Sequence, residues 1–398
     1  MKKYKCTIFF LVFLGLAGTA WSQSFYSQSG VGLTRHFISG QATGMGGTGL
    51  AVFDPLSVSY LNPASLTNLQ ITYISGNFKH TVNSLSGTPN SAVISNTNVE
   101  GVLFHVPIIR GKLSTALGLN PYSSIEYRFE ENSPGLQHSF EGAGGVNIFF
   151  SSLAFRPIPR LSIGLSGLFY FGQLRKVDRI NYSSSSSLYA NTFHEISETF
   201  TAVNFRLGIL GKLTRDWSIA AILTPGKNIT VDKNVLQGAF VDTAKVGARD
   251  IELPLGYGVG TTFFVTPKFM FNFDYTVEKW SGTNTEGYTG DGFRFGGGVE
   301  YSGRGKILGD SYFSRMAFRA GFYYRALGLE QPVGKQVSEV FGTLGVGMPI
   351  KWSAARLDFA FELGRRGDLG SNPISENIVQ FSAAITTGER WFHRGKSR

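Results

Sequence analysis

Several carboxylates in the sequence are of the type that performs general acid–base chemistry when two carboxyl groups face each other. They are Asp274, Glu278, Asp358 and Glu362. Arginines also occur in segments where polar and apolar residues alternate, as these carboxylates do. Mutual neutralisation of the charges is a simpler interpretation than catalysis. These arginines are Arg206, Arg294, Arg319, Arg325 and Arg356. The pattern therefore favours a polar interior over an active site, and we expect no enzyme.

Metal and cofactor chemistry is equally poorly supported. The six histidines are scattered along the chain without the close spacing of metal ligands. The sequence contains neither a G-x-S-x-G nucleophile elbow nor a P-loop. We therefore predict no catalytic residue, no metal and no cofactor.

A glycine-rich run, Gly44-Met45-Gly46-Gly47-Thr48-Gly49, matches the G-x-G-x-x-G pattern of dinucleotide-binding loops. That function requires an acidic residue roughly 20 residues further on, and residues 64–74 contain none. Glycine permits sharp turns and close backbone packing, and the later Asn62-Pro63 favours a turn. Two interpretations of this segment stay open: it only packs against the rest of the protein, or it shifts when a ligand binds.

Residues 1–22 have the features of a secretory signal peptide. Lysines precede an apolar run from Ile8 to Ala17, and Ala20 and Ser22 suit a cleavage site. The run is shorter than the roughly 20 apolar residues of a spanning helix, and no longer apolar stretch follows. The sequence therefore predicts export, with no helical membrane anchor.

Composition and alternation predict the fold class. Of 398 residues, 50 are Gly and 34 are Phe, and charged residues make up 16%, against roughly 25% in soluble domains. After about residue 68, apolar and polar residues alternate, as in 269–278 and 356–363, which is typical of strands with one apolar face. The alternating segments exceed the usual five to six residues of soluble strands. In an exported chain, this pattern favours an all-β, antiparallel transmembrane β-barrel over a soluble sandwich.

The connections between these segments alternate between short turns and longer polar stretches. The longer stretches, predicted to be loops, are 82–97, 128–139, 177–196, 224–248, 281–291, 327–336 and 366–375. The count of all connections predicts about 14 strands, an even number as in other outer-membrane barrels. Residues 228–250 could contain strand extensions instead of a loop, which leaves the count open by two strands either way. The predicted domains are the signal peptide 1–22, an N-terminal hatch segment 23–67 and the barrel 68–398.

The glycine run, followed by Asp54 and Asn62-Pro63-Ala64, resembles the hatch motif of the FadL/TodX family of outer-membrane transport proteins. The resemblance implies a fourteen-stranded barrel with a hatch, in the bacterial outer membrane. The closing Glu389-Arg390-Trp391-Phe392 with its basic tail departs from barrels whose last residue is aromatic. Similar N-terminal runs occur in exported proteins of Bacteroidetes-type bacteria, including PorV-like relatives that serve protein secretion.

The resemblance and the residue types together suggest site residues. The hatch residues are Gly44, Gly46, Gly47, Gly49, Asp54, Asn62, Pro63 and Ala64. Lumen side chains that could contact a ligand, for example by holding a carboxylate, are Arg206, Arg319, Arg325 and Tyr323. Family members open their wall at strand breaks, and proline removes a ladder hydrogen bond. The candidates for lateral opening are Pro121 and Pro254, and each could equally mark an ordinary strand end.

Two functions fit this sequence. The first is a passive channel for fatty-acid-like or aromatic compounds, held near the hatch and released laterally or to the periplasm. The second is a structural or partner-binding barrel of a protein secretion or envelope assembly. An apolar lumen favours the channel, and a lumen filled with charged pairs favours partner binding. The formal charge is +10, but the basic residues are not clustered with stacking aromatics, so we expect no nucleic acid as a partner. The expected partners are membrane lipid, a hydrophobic ligand or envelope proteins.

Overall fold

A computed structural model describes most of the chain. The described ranges are 24–36, 39–52, 60–87, 91–182, 190–238, 242–302, 311–329, 336–350 and 354–391. Within them the chain forms a closed antiparallel β-barrel of 14 strands with an N-terminal segment, which confirms the predicted fold class. The predicted signal peptide and Asp54 lie outside the described residues. In the described ranges, no helix combines the length and apolar character that a membrane span requires.

The wall strands follow the order of the chain, each antiparallel to its neighbours. They are β1 (Thr72–Gly87), β2 (Ser91–Ile109), β3 (Leu113–Ser124 and Tyr127–Ser133), β4 (Leu136–Ile158), β5 (Leu161–Tyr182), β6 (Thr192–Lys212), β7 (Trp217–Thr224 and Lys227–Gly238), β8 (Asp242–Leu253 and Leu255–Thr266), β9 (Phe269–Lys279), β10 (Gly292–Ser302), β11 (Ala317–Ala326), β12 (Ser338–Pro349), β13 (Arg356–Arg366) and β14 (Ile374–Glu389). Strand β14 pairs with β1 from Ile374 opposite Gly87 to Glu389 opposite Thr72, which closes the barrel.

Three of these strands are interrupted. The breaks lie at 125–126 in β3, at 225–226 in β7 and at Pro254 in β8. Proline cannot donate to a strand ladder, so it is found at such irregularities. The breaks in β7 and β8 face each other, because Thr224 pairs with Gly256 just beside them. The outer halves of β7 and β8 therefore form a hairpin of their own.

Alternate residues of the wall face the membrane and the lumen, as the alternation predicted. In β13, Phe361 and Leu363 are exposed on the outer face, whereas Asp358 and Glu362 are buried inside. The arrangement places aromatic and aliphatic side chains against acyl chains and places charges in the interior.

Several stretches that looked like long loops are largely strand. Residues 82–97 belong mainly to the β1–β2 hairpin, 128–139 to the β3–β4 hairpin and 224–248 to the outer halves of β7 and β8. In the outer half of β7, Ile229 and Val231 are buried on the lumen side, whereas Thr230 and Asp232 are exposed on the other face, so the apolar outer face that indicates a membrane strand is missing there.

The N-terminal segment packs against the inner face of the wall. We call its described residues, 24–36, 39–52 and 60–69, the plug. Its short elements are a 3-10 helix (Phe25–Gln28), a two-residue strand (Leu33–Thr34), one helical turn (Gly40–Thr43) and a second 3-10 helix (Pro63–Asn68). The Asn62 side chain caps the second 3-10 helix by accepting a hydrogen bond from the Ala64 amide at 3.0 Å.

Replacing Phe361 by Arg tests the assignment of the lipid face. We expect a loss of about 2–4 kcal/mol in the free energy of unfolding, because the charge would lie near the bilayer midplane. Phe361→Leu keeps an apolar side chain and should cost less than about 1.5 kcal/mol. Urea unfolding of the barrel in liposomes measures both values. Equal stability of the two variants would contradict the assignment.

Candidate functional site

Glycines of the plug lie directly on glycines of the wall. Gly46 has a φ of +64°, and a Cβ atom there would come within 3.0 Å of the Phe322 carbonyl oxygen. A Cβ on Gly44 would lie 2.9 Å from the Cα of Gly345 in β12, and one on Gly321 in β11 would strike the plug backbone. We call Gly44, Gly46, Gly321 and Gly345 the glycine seam. Only residues without a side chain allow this approach of two backbones.

Charged wall residues bind the plug backbone beside the seam. Arg294 of β10 donates from Nη2 to the Gly46 carbonyl at 2.6 Å and from Nη1 to the Gly47 carbonyl at 3.0 Å. Asp274 of β9 accepts from the Gly49 amide at 2.6 Å and from the next amide at 3.0 Å. The four predicted hatch glycines thus contact the wall through their backbone, which explains why side chains are absent there.

The Asn62-Pro63-Ala64 run binds the opposite part of the wall. Asn62 Nδ2 donates to the carbonyls of Leu50 at 3.0 Å and Ile209 at 3.2 Å, so it joins two parts of the plug to β6. A Cβ on Gly208 or Gly164 would collide with this run. The run therefore packs between two wall glycines, in a second contact of the same kind as the seam.

A first charge cluster crosses from the wall to the plug. Arg319, whose side chain is 0% exposed, contacts Glu300 at 2.7 Å and Asp358 at 2.6 Å. Arg356 adds a 2.8 Å contact to Asp358. Gln41 of the plug donates to Glu300 at 2.7 Å. The predicted neutralisation of lumen carboxylates by arginines is thus seen for Asp358, and the plug takes part in it.

A second charge cluster lies along β11 to β14. Arg366 contacts Glu339 and Glu376, each at 2.8 Å, and Arg325 contacts Glu339 at 3.4 Å. Ser24 of the plug donates to Glu376 at 2.7 Å. The N-terminal end of the plug is therefore also part of a buried ion network.

The four predicted ligand residues all face the lumen. Arg319 and Arg325 belong to the charge clusters. Arg206 lies 4.7 Å from the ring centroid of Tyr60 in the plug, and Tyr323 lies beneath Arg294 at 4.4 Å. Each side chain thus contacts the plug or a residue that binds it, and a role in ligand binding stays a prediction.

The lumen has two chemically different sides. Strands β2 to β8 contribute a packed apolar cluster, including Phe150, Leu168 and Tyr170, against which Tyr60 and Leu66 of the plug pack. Strands β9 to β14 contribute the charge clusters. The plug is therefore fixed by ion pairs and close backbone contact on one side and by apolar burial on the other.

The wall between β2 and β3 opens near Pro121. The ladder between these strands ends at Val102 opposite Leu119, and the next part of β3 pairs with the two-residue strand of the plug instead. A cavity of about 390 Å³ lies here, lined by Val99 and Pro121 among others. We call this cavity the wall gap. Arg35 of the plug lines it and contacts Glu100 at 3.0 Å.

Pro254 interrupts β8 opposite the break at 225–226 in β7. On the other side of that break, β7 does not pair with β6 between Leu207 and Thr199 of β6. Asn204 Nδ2 donates to the Pro225 carbonyl at 2.8 Å across this interruption. Because side chains bridge it, the wall gap near Pro121 is the stronger candidate for an opening. The role of either proline in release stays a prediction.

Sequence reasoning did not find the second charge cluster. Arg366 and Glu376 flank a stretch predicted as a loop, and their pairing depends on strand register. The sequence also did not identify Gly321 and Gly345 as contacts of the plug. Their lumen positions in alternating strands were the only feature that pointed to such a contact.

Comparisons with known proteins agree with the fold. The BamG family model matches residues 1–397. The toluene transporter TbuX of Ralstonia pickettii has a TM-score of 0.62 and 16% identity, covering 87% of this chain and 97% of that one. A FadL homologue of Pseudomonas aeruginosa has a TM-score of 0.65 and 12% identity, covering 90% and 99%. The Pseudomonas putida toluene transporter TodX has a TM-score of 0.60 and 13% identity, covering 90% and 99%.

No curated protein matches the chain in sequence. The resemblance to the FadL/TodX family that the hatch motif indicated is confirmed by these structures. At such low identities the likeness concerns the fold. The PorV-like relationship stays a prediction.

Substituting Gly46 by Ala tests the glycine seam. We expect a cost of at least about 1–2 kcal/mol from the left-handed backbone alone, and a plug that proteases cleave while the barrel remains intact. Gly342→Ala is the control, because its Cβ would meet nothing within 4 Å. Limited proteolysis with mass spectrometry measures the effect. Equal protection of the plug in both variants would refute the seam.

Substituting Arg319 by Met tests the first charge cluster. The change removes the arginine at Glu300 and one of the two arginines at Asp358, and breaking this buried network should lower the free energy of unfolding by about 3–5 kcal/mol. Arg365→Met is the matched control, since that side chain is 53% exposed in its contact with Asp368, and exposed pairs contribute about 0–1 kcal/mol. Urea unfolding in liposomes compares the two, and similar losses would contradict a special role for the buried pair.

Proposed function

This chain belongs to the BamG family, and we propose that it is an outer-membrane channel through which hydrophobic small molecules pass from the lumen into the membrane by way of the wall gap. The observation that carries the proposal is the loss of β2–β3 pairing beside Pro121, next to a plug that fills the lumen. The description of TbuX and TodX as toluene transporters supports a hydrophobic ligand.

The apolar side of the lumen is suited to holding such a ligand. Phe150, Leu168 and Tyr170 of the wall and Tyr60 of the plug are buried there. A ligand that displaced the plug from this side would bury its own apolar surface, which contributes about 25 cal/mol per Å². The ion pairs on the other side would keep the plug inside the barrel during the exchange.

The part of the plug nearest the wall gap is held by a short ladder and a few polar contacts, among them hydrogen bonds from Arg35 to Ser124 and from Arg325 to Thr34. Leu33 and Thr34 pair with only two residues of β3, Ser124 and Ser123. Arg35 then spans to Glu100. A displacement of these few residues would join the lumen to the wall gap without breaking the glycine seam. Lateral release then leads straight to the hydrocarbon, so an apolar ligand does not have to enter water.

Filling the wall gap tests this route. Val99→Trp places a large ring in the gap, so we expect uptake of a labelled long-chain fatty acid or toluene into proteoliposomes to fall several-fold. Val93→Trp is the control, because Val93 lies on the same strand, is 72% exposed and does not line the gap. Equal uptake by the two variants would contradict lateral release.

A second function is favoured by the charge clusters. Within the described residues, both clusters connect the plug to the wall through buried ion pairs and hydrogen bonds, which suits a permanently closed barrel that binds partners in an envelope assembly. If wild-type proteoliposomes take up no hydrophobic compound, and a defined set of envelope proteins co-purifies in mild detergent, the partner-binding function replaces the channel.

A further inference from the structure

A polar cavity of about 110 Å³ lies between the plug and the wall. We call it the polar cavity. Leu33 to His36 of the plug form one side, and wall strands including β1 and β10 to β13 form the other. A single buried water occupies about 10–15 Å³ on the same measure, so the space can hold a small polyatomic ion but not a long apolar chain.

Cations outnumber the carboxylates around this cavity. The cations that line it are Arg35, Lys79, Arg294, Arg325 and Arg366, and the carboxylates that line it are Glu100, Glu339 and Glu362. The ion pairs are Arg35–Glu100 at 3.0 Å, Lys79–Glu362 at 3.3 Å, Arg325–Glu339 at 3.4 Å, Arg366–Glu339 at 2.8 Å and Arg366–Glu376 at 2.8 Å. Even with Glu376 included, five cations share four carboxylates.

Arg294 is the cation without a carboxylate partner. Its guanidinium donates to two plug carbonyls and lies over the Tyr323 ring. Among the described residues, no carboxylate lies within ion-pair distance of it. Arg294 as a whole is only 8% exposed to solvent. Backbone dipoles and a ring face thus make the direct contacts to this charge, and the carboxylates of Asp274 and Glu362 act on it only from beyond ion-pair distance.

A buried charge without an ion-pair partner is costly, and a guanidinium does not escape the cost by losing its proton. His36 does not add to the positive charge. Burial, and to a lesser extent the positive charges of Arg325 and Arg294, lower the pKa of its imidazole well below the ordinary value. The neutral imidazole can still donate one hydrogen bond. Arg35 and Arg325 keep 14% and 11% of their side-chain surface open, although both already form ion pairs.

We propose that the polar cavity binds one small oxyanion or carboxylate, which neutralises the excess charge at Arg294 and fastens the plug to β10 and β11. The inference does not rest on the proposed transport route, although Arg35 and Ser124 line both the polar cavity and the wall gap. Its anion has two chemical sources: a free ion such as inorganic phosphate, or the carboxylate head of an amphipathic molecule whose tail extends out of the cavity.

Calorimetric titration of the purified full-length chain in a nonionic detergent, with inorganic phosphate as the probe, tests the site. We expect saturable binding of one phosphate. Arg294→Gln should weaken it at least tenfold, and Arg294→Lys should retain most of it because the charge remains. Arg215→Gln, which removes one charge in the exposed turn between β6 and β7, is the control and should bind like the wild type.

If Arg294→Gln does not fold, Arg325→Gln removes a charge from the same cavity without touching the glycine run, and the same loss is expected. Octanoate serves as the second probe. Competition between octanoate and phosphate supports the site and shows that it accepts carboxylate heads, whereas phosphate binding alone supports a free inorganic ion. No saturable binding of either probe, or equal weakening by Arg215→Gln, overturns the proposal.

Discussion

Charges buried inside this barrel need partners within the protein, because lipid offers none and burial without a partner is costly. Here many of the partners belong to the plug. Gly46 and Gly47 supply carbonyls to Arg294, and Ser24 donates to Glu376. The wall and the plug are therefore not two independent parts. A barrel that lost its plug would leave several buried charges with fewer partners, so the charged side of the wall depends on the plug.

Close backbone contact is the second constraint on the same side. Ion pairs hold the plug only if its backbone comes near β10 to β12, and the facing glycines Gly46, Gly321 and Gly345 permit that approach. The opposite side of the lumen relies on apolar packing, which is not directional. This asymmetry fits a plug that stays anchored at the seam while its two-residue strand, Leu33–Thr34, lies against the wall gap.

Sequence alone predicted the barrel, the direction of its faces and the strand number, because lipid requires apolar residues at alternate positions of every membrane-spanning strand. The hatch motif also identified backbone that contacts the wall. The sequence did not reveal which charges meet. Arg366 pairs with Glu339 on β12 and Glu376 on β14, and such pairs depend on strand register, which a single chain pattern does not specify. It likewise left Pro121 and Pro254 equivalent, since only the pairing of neighbouring strands distinguishes a gap from a bridged break.

Hydrogen–deuterium exchange of the plug amides in the purified wild-type barrel tests most directly whether plug and wall form one folded unit. The amides of Gly46, Gly49 and Leu50 donate to the wall residues Thr343 and Asp274. We expect them to exchange as slowly as the amides of the β10–β12 ladder, because opening them requires breaking the seam and its charged contacts. Exchange of these three amides within seconds, while the wall amides remain protected, would show that the plug is only loosely held and would contradict this view of the protein.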